Sequence, residues 1–160
     1  MIRSFFTALL LLSPWGIAYS EFDSTGEVQL SAALVKHNLL LALEIPASAA
    51  PATSASGDSA AVRLRTLAGL LKDASRAFKL PKAAGCSRVS GQVLVHTELS
   101  PDAALGPRIS AGWEFECATP EVLGALEIKL FSLLSVESIR AIVFPDGQFI
   151  ITPDHPYLPL

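Results

Sequence analysis

The sequence predicts an α+β domain in which antiparallel strands form hairpins at the N-terminal and C-terminal ends and one main helix covers the sheet. Three observations support this fold class. Apolar and polar residues alternate in several short segments, as in half-buried strands. One segment between a capping sequence and a proline has helical spacing. Two cysteines stand in a chain that begins like an exported protein, which predicts one disulfide.

The first 20 residues have the features of a cleavable secretory signal peptide. Arg3 gives a basic start, an apolar run covers residues 5–12, and Ser13-Pro14 follows before Ala18-Tyr19-Ser20, which supplies the small residues of a cleavage site. A membrane-spanning helix needs about 20 continuous apolar residues, which this interrupted run does not supply. We expect cleavage after Ser20, a single exported domain at residues 21–160, a periplasmic location and no membrane span in the mature chain.

Composition excludes some classes of partner. The chain has 12 Lys and Arg against 15 Asp and Glu, and loss of Arg3 with the signal peptide leaves 11 basic residues and a net charge near −4. We therefore expect no nucleic-acid partner. About 140 mature residues suit one domain with one hydrophobic core.

A hairpin is predicted at the start of the mature chain. Apolar residues recur at every second position in two runs, 28–34 and 39–45, with a short polar turn at 36–38 between them. Pro46 ends the second strand. Residues 47–57 are almost entirely Ala, Ser, Pro, Thr and Gly, and because they have no large side chain to bury, we expect a flexible segment there.

One main helix is predicted after this segment. Asp58-Ser59 can cap its N-terminus, Pro81 lies just beyond its end, and the apolar residues at helical spacing are Leu67, Leu70, Leu71, Ala74 and Phe78. Its basic residues lie largely off this stripe. They could meet an anionic partner, but a charged outer helix face is most often only solvated.

Two further strands and a disulfide are expected in the middle of the chain. Alternation after Cys86 and before Cys117 predicts a strand at each position, and two cysteines in an exported domain usually pair. Closing a loop of about 32 residues stabilises a fold by roughly 3 to 4 kcal/mol. Pairing the cysteines directly puts Arg88 opposite Phe115 and mixes the two faces, so either a bulge shifts the register or Cys86 lies outside the ladder.

The C-terminal part contains one ambiguous segment and one clear one. Residues 120–134 have leucines at helical spacing and also an alternation that fits a strand, so both structures stay open. Apolar residues at 139–144 and 149–152 flank an Asp146-Gly147 turn signal, which predicts a C-terminal hairpin.

The sequence carries no signature of an enzyme. It has no Gly-x-Ser-x-Gly nucleophile elbow and no glycine-rich phosphate loop after a strand. Glu114 and Glu116 share one side of a strand, as a two-carboxylate mechanism would need, but a solvent-facing side opposite Trp113 and Phe115 is the simpler explanation. We therefore expect no catalytic residues.

Candidate metal ligands are few. His96 and Glu98 lie two apart on the polar side of a predicted strand, Asp154 and His155 are adjacent near the C-terminus, and His37 stands in a turn. Imidazole and carboxylate both suit zinc, but a tetrahedral site needs about four ligands. None of these residues demands a cofactor, and zinc is the cofactor that their side chains could hold.

Five segments are informative through their order and spacing rather than one by one: Gly-Glu-Val-Gln-Leu at 26–30, Phe-Lys-Leu-Pro-Lys-Ala-Ala-Gly-Cys at 78–86, Trp-Glu-Phe-Glu-Cys-Ala-Thr-Pro at 113–120, Leu-Phe at 130–131 and Gly-Gln at 147–148. Together they resemble the ZrgA-like family of exported zinc-binding proteins. The resemblance spans nearly all the mature chain and implies a periplasmic α+β domain that supports zinc delivery to an uptake system. Zinc-binding members carry a histidine-rich acidic stretch, whereas residues 47–57 and 100–107 contain no histidine here, so we expect a reduced metal capacity.

Two functions follow as hypotheses. The first is a zinc-binding or zinc-homeostasis accessory protein whose partner is a component of a zinc-uptake system. The second is a non-metal binding or interaction module on the same scaffold. The family resemblance favours the first and the missing histidines favour the second, while neither indicates an oligomeric state.

Overall fold

A computed structural model describes residues 26–52, 59–97 and 106–160. The signal peptide predicted at residues 1–20 lies outside these ranges. The described residues form one α-helix, nine strands and several short 3-10 turns. The helix is Ala60–Leu71 (α1), and the strands are Gln29–Val35 (β1), Asn38–Pro46 (β2), Phe78–Lys79 (β3), Cys86–His96 (β4), Arg108–Cys117 (β5), Ala125–Ile128 (β6), Ile139–Phe144 (β7), Gly147–Ile151 (β8) and Tyr157–Pro159 (β9).

Six strands form the main sheet, in the order β4-β5-β2-β1-β7-β8. β1 and β2 are the predicted N-terminal hairpin, with its turn at Lys36-His37, and β7 and β8 are the predicted C-terminal hairpin. All neighbouring strands are antiparallel except β1 and β7, which run parallel and join the two hairpins. The α+β class with hairpins at both ends is confirmed. Residue alternation within one strand does not predict which distant strand it pairs with, so the parallel pairing of β1 with β7 could not be foreseen from it.

A second, three-stranded sheet has the order β3-β6-β9. It settles the ambiguous segment at 120–134, which contains the strand β6 between two 3-10 turns, Pro120–Val122 and Leu130–Ser132. Such short turns mimic helical spacing without extending into a helix. Across the β3/β6 pair, Lys79 Nζ donates a 2.7 Å hydrogen bond to Glu127, and this bond raises the pKa of Lys79.

The helix α1 is shorter than its apolar spacing predicts. Ser59 caps its start, because its Oγ accepts a 3.4 Å hydrogen bond from the Val62 amide. The helix ends at Leu71, and the Asp73 carboxylate then accepts from the Ser75 amide and begins a separate 3-10 turn. None of the helices that the structure describes is long and apolar enough to cross a membrane.

The beginning of the segment at 47–57 is folded, where flexibility is expected from its composition. Ala47–Ala49 form a 3-10 turn, and Ala49 and Ala50 are only 2% and 5% exposed. The Ala49 carbonyl accepts a 2.9 Å hydrogen bond from the Ser135 amide. Alanine is small enough to pack tightly where the chain crosses the core, so the lack of large side chains does not prevent burial here. Residues 53–58 lie outside the described ranges.

One hydrophobic core lies on one side of the main sheet. α1 and the small sheet contribute to it together with the inward side chains of the six strands. Phe78 of β3 contacts Trp113 of β5 edge to face, with ring centroids 5.2 Å apart, and so ties the two sheets together. The described residues leave the opposite side of the main sheet exposed, and this side is called the open face below.

Candidate metal residues and the open face of the sheet

His96 ends β4, and its imidazole already has partners. Its Nε2 lies 2.9 Å from the Ser110 hydroxyl oxygen on the neighbouring strand. Arg108 lies directly opposite His96 in the strand register, and its Nε is 3.6 Å from a carboxylate oxygen of Glu44. The imidazole of His96 thus has a hydrogen-bond partner on β5 and an arginine as its cross-strand neighbour. Glu98, the ligand expected to accompany His96, lies outside the described residues.

Asp154 and His155 lie in an exposed turn that follows β8. The His155 amide donates a 3.0 Å hydrogen bond to the Thr152 carbonyl, and these two residues form an isolated β-bridge. The turn therefore presents one carboxylate and one imidazole side by side to solvent. Two ligands leave a zinc ion mainly coordinated by water, which is a weak arrangement.

The fold keeps these two candidate pairs apart. His96 belongs to one edge strand of the main sheet and His155 follows the other, and five strand spacings of about 4.8 Å, roughly 24 Å, separate these two edge strands. Within residues 26–52, 59–97 and 106–160, no group of three or more His, Cys, Asp or Glu side chains could hold a metal ion. His96 and His155 thus cannot contribute to a common site.

Cys86 and Cys117 form the predicted disulfide, with sulfur atoms 2.05 Å apart. They are register partners at one end of the β4/β5 ladder. His37 fixes the same end, because its Nδ1 lies 3.1 Å from the Cys117 carbonyl oxygen and its own carbonyl accepts a 2.8 Å bond from the Cys117 amide. His37 therefore has a structural place in the fold.

A β-bulge answers the register question raised by the cysteines. Arg88 lies opposite Phe115, Ser90 lies opposite Glu114, and the register shifts between them. The extra residue, Val89, is 58% exposed. Of the two alternatives left open by the sequence, the bulge is correct and Cys86 stays inside the ladder.

The open face has an apolar centre. Five of the nine exposed large apolar side chains in the described part of the chain lie on it, as the strand registers show: Val35, Leu40, Leu94, Phe144 and Ile150. Phe144 is the most exposed of them, at 72%. An apolar surface of this kind, bordered by polar groups, is typical of a place where another molecule binds.

A shallow trough of about 760 Å³ crosses this centre. Ser31, Ala42 and Gly112 line it side by side on three adjacent strands, and Phe144 stands at its border. A Cβ atom added at Gly112 would meet nothing closer than the Leu41 carbonyl oxygen, 3.7 Å away. The packing of the described residues therefore does not require glycine at this position.

Polar groups on the open face are bound within the chain. Glu114 accepts hydrogen bonds of 3.2 Å from the Asn38 amide group and 3.3 Å from the Ser90 hydroxyl. Arg140 forms a 2.7 Å ion pair with Glu27. Both oxygens of Glu114 are thus engaged by neutral donors, and these hydrogen bonds link β5 to β2 and β4.

A second cleft, of about 630 Å³, lies at the C-terminal end of α1. Arg88 Nη1 donates a 2.8 Å hydrogen bond to the Lys72 carbonyl, and Arg76 Nε lies 3.9 Å from Asp73. Hydrogen bonds from the Ser75 hydroxyl and amide hold the pKa of Asp73 below its usual value, and Arg76 and Arg88 add to this effect. Two of the cationic side chains in this cleft are thus engaged by the chain itself.

The open face is the feature that sequence reasoning missed. The sequence does contain a signal for it, because all five residues from 39 to 43 in β2 are apolar, on both sides of the strand. A strand without polar alternation is typical of a sheet that is covered on both sides. The alternation argument assigned only every second residue of this strand, so Leu40 and Ala42 received no role.

The sequence model of one protein family, described as ZrgA family zinc uptake protein, matches residues 23–160. No curated protein matches the chain significantly. The family match includes both sheets, α1 and the two cysteines, and it agrees with the resemblance noted in the ordered segments. The chain therefore belongs to the ZrgA family of zinc uptake proteins.

Proposed function

We propose that the protein is an exported, periplasmic accessory of zinc uptake with no enzymatic activity, and that it binds at most one zinc ion, weakly. Membership of a zinc uptake family is the observation that carries this proposal. The basic start, apolar run and small-residue cleavage site at residues 1–20 support export. A disulfide between its two cysteines suits an oxidising compartment such as the periplasm.

The arrangement of histidines supports a low metal capacity. His96 is hydrogen bonded to Ser110 and faces Arg108, and His155 lies at the far edge of the sheet with Asp154 as its neighbour. Tight zinc binding needs about four ligands in a fixed geometry with supporting hydrogen bonds. We place the weak site at Asp154 with His155 or at His96 with Glu98.

The open face favours a second candidate function, a non-metal interaction module that assists uptake by contacting another protein. Its exposed apolar centre and its trough offer a binding surface that needs no metal. In this case the scaffold of the family is used without zinc coordination.

A growth experiment separates the two functions. A deletion strain under zinc limitation is complemented with wild-type protein, with a His96→Ala/His155→Ala variant or with a Gly112→Val variant that fills the trough. The accessory function predicts that the wild type and Gly112→Val restore growth and that the histidine variant does not. The interaction module predicts instead that the histidine variant restores growth and that Gly112→Val does not. Normal growth of the deletion strain at every zinc concentration would contradict both.

A further inference from the structure

We propose that the open face is a self-association surface and that two copies of this chain pack face to face through it. The inference is independent of the proposed role in zinc uptake. It rests on the shape, size and chemistry of the face itself.

The chemistry of the face matches the anatomy of a protein interface. Leu40 and Phe144 line the trough and are 42% and 72% exposed. Glu114 lies opposite Leu40 with both carboxylate oxygens hydrogen bonded, and Arg140 stands towards the border, paired with Glu27. Protein interfaces have the same arrangement, with an apolar centre inside a polar rim. In a monomer these side chains face water, and a second apolar surface would remove them from it.

Gly112 gives a second, independent indication of close approach. A glycine inside a strand weakens the sheet and often marks a place where another backbone or a ligand comes near. Here the space above Gly112 is open, and a Cβ atom would be accommodated without contact closer than 3.7 Å. The trough that glycine leaves is thus available to a side chain from another molecule.

The face contains both a protruding group and a depression that can receive it. Phe144 of β7 lies two strands away from Ala42 in the floor of the trough, at roughly 10 to 12 Å. We place a two-fold axis midway between two such faces and parallel to them, above β1 between Ser31 and Ala33. Rotation about this axis brings each Phe144 onto the trough of the other copy. Two-fold interfaces are self-complementary in this way. The small side chains at the axis allow the two sheets to come close.

The area of the face suits a dimer. The strands nearest the two-fold axis are β5, β2, β1, β7 and β8, which have 10, 9, 7, 6 and 5 residues. Five strands at about 4.8 Å and an average of about seven residues at about 3.4 Å make a surface of roughly 24 by 24 Å, near 580 Å² in projection. A standard interface buries about 800 Å² of accessible surface on each partner, which is comparable.

The ion pairs on the face also favour a second copy over an acidic partner. Arg140 is paired with Glu27 and Arg108 with Glu44, within the same chain. Charge pairs that are already formed can lie beside an interface without leaving an unpaired charge in it. The two guanidinium groups on the face are thus neutralised within the chain, so these side chains do not form a basic patch that would select an acidic partner.

Sedimentation equilibrium of the mature domain tests this proposal, over about 1 to 300 μM, the range in which a micromolar dimer dissociates. The variants are Phe144→Ser, which removes the protruding ring, and Gly112→Val, which fills the trough. Tyr157→Ser is the matched control, because Tyr157 is an aromatic residue that is 60% exposed on β9, away from the open face. Unfolding in urea at low concentration checks that each variant is folded.

We expect a wild-type dimer, a dissociation constant at least about tenfold weaker in both face variants, and an unchanged constant in Tyr157→Ser. Gly112→Val should meanwhile remain at least as stable to unfolding as the wild type, which separates loss of association from loss of folding. A wild type that stays monomeric throughout would assign the face to another occupant and overturn the proposal. A dimer that neither face variant weakens would place the contact elsewhere and overturn it equally.

Discussion

Replacing Gly91 with alanine tests the packing of β4 against Trp113. Gly91 lies opposite Trp113, and a Cβ atom there would stand 2.8 Å from Trp113 Cδ1 and 3.5 Å from its Nε1. Trp113 is 3% exposed and is packed edge to face on Phe78, so the indole cannot move aside freely. Overpacking of this kind typically costs about 1 to 3 kcal/mol. Reduced flexibility of the unfolded chain returns about 0.4 to 1 kcal/mol. We therefore expect a net loss of about 1 to 2 kcal/mol.

Gly112→Ala is the control for this change, since Gly112 lies on the next strand but opens towards the other side of the sheet. Its added Cβ would be 3.7 Å from the nearest heavy atom, and we expect unchanged or slightly increased stability. Urea unfolding of the oxidised mature domain gives both free energies. A protein that begins at Glu21, the expected mature N-terminus, lacks Trp15, so its tryptophan fluorescence reports Trp113 alone. If Gly91→Ala were as stable as Gly112→Ala, the close contact between Gly91 and Trp113 would be wrong.

Two further predictions concern the disulfide and the signal peptide. A Cys86→Ser/Cys117→Ser variant should lose roughly 3 to 4 kcal/mol of unfolding free energy by the loop-entropy estimate. The wild type should show no reactive thiol in non-reducing mass spectrometry. Free thiol at both positions in the exported protein would contradict the pairing. N-terminal sequencing of exported material should begin at Glu21, and a mature chain that still begins at Met1 would refute cleavage and the periplasmic location together.

Local patterns predicted those parts of the fold that short-range chemistry determines. The N-terminal hairpin follows from apolar residues at every second position, and the C-terminal hairpin from apolar runs around the Asp146-Gly147 turn signal. The helix start follows from the capping oxygen of Ser59, and the disulfide from the expectation that two cysteines pair in a chain with an export signal. The end of the helix was misplaced because Ala74 and Phe78 continue the apolar spacing from a turn and a strand. Spacing alone does not show that the Asp73 carboxylate binds the backbone and ends the helical path.

Long-range contacts account for what the sequence could not predict. The parallel pairing of β1 with β7 and the small sheet of β3, β6 and β9 join segments that are far apart in the chain. The separation of His96 from His155 depends on that topology, because only the strand order places them at opposite edges. Similarly, Leu40 and Phe144 become one surface only when β2, β1 and β7 are neighbours.

Calorimetric titration of the mature domain with zinc tests the central proposal most directly. A His96→Ala/His155→Ala double variant is measured beside the wild type, since it removes the imidazole from both candidate pairs and keeps the cysteines. We expect at most one weakly bound ion in the wild type and its loss in the variant, because the described residues offer no closed set of about four ligands. Two or more tightly bound ions would contradict the reduced capacity, and identical titrations of the two proteins would contradict zinc binding at these histidines.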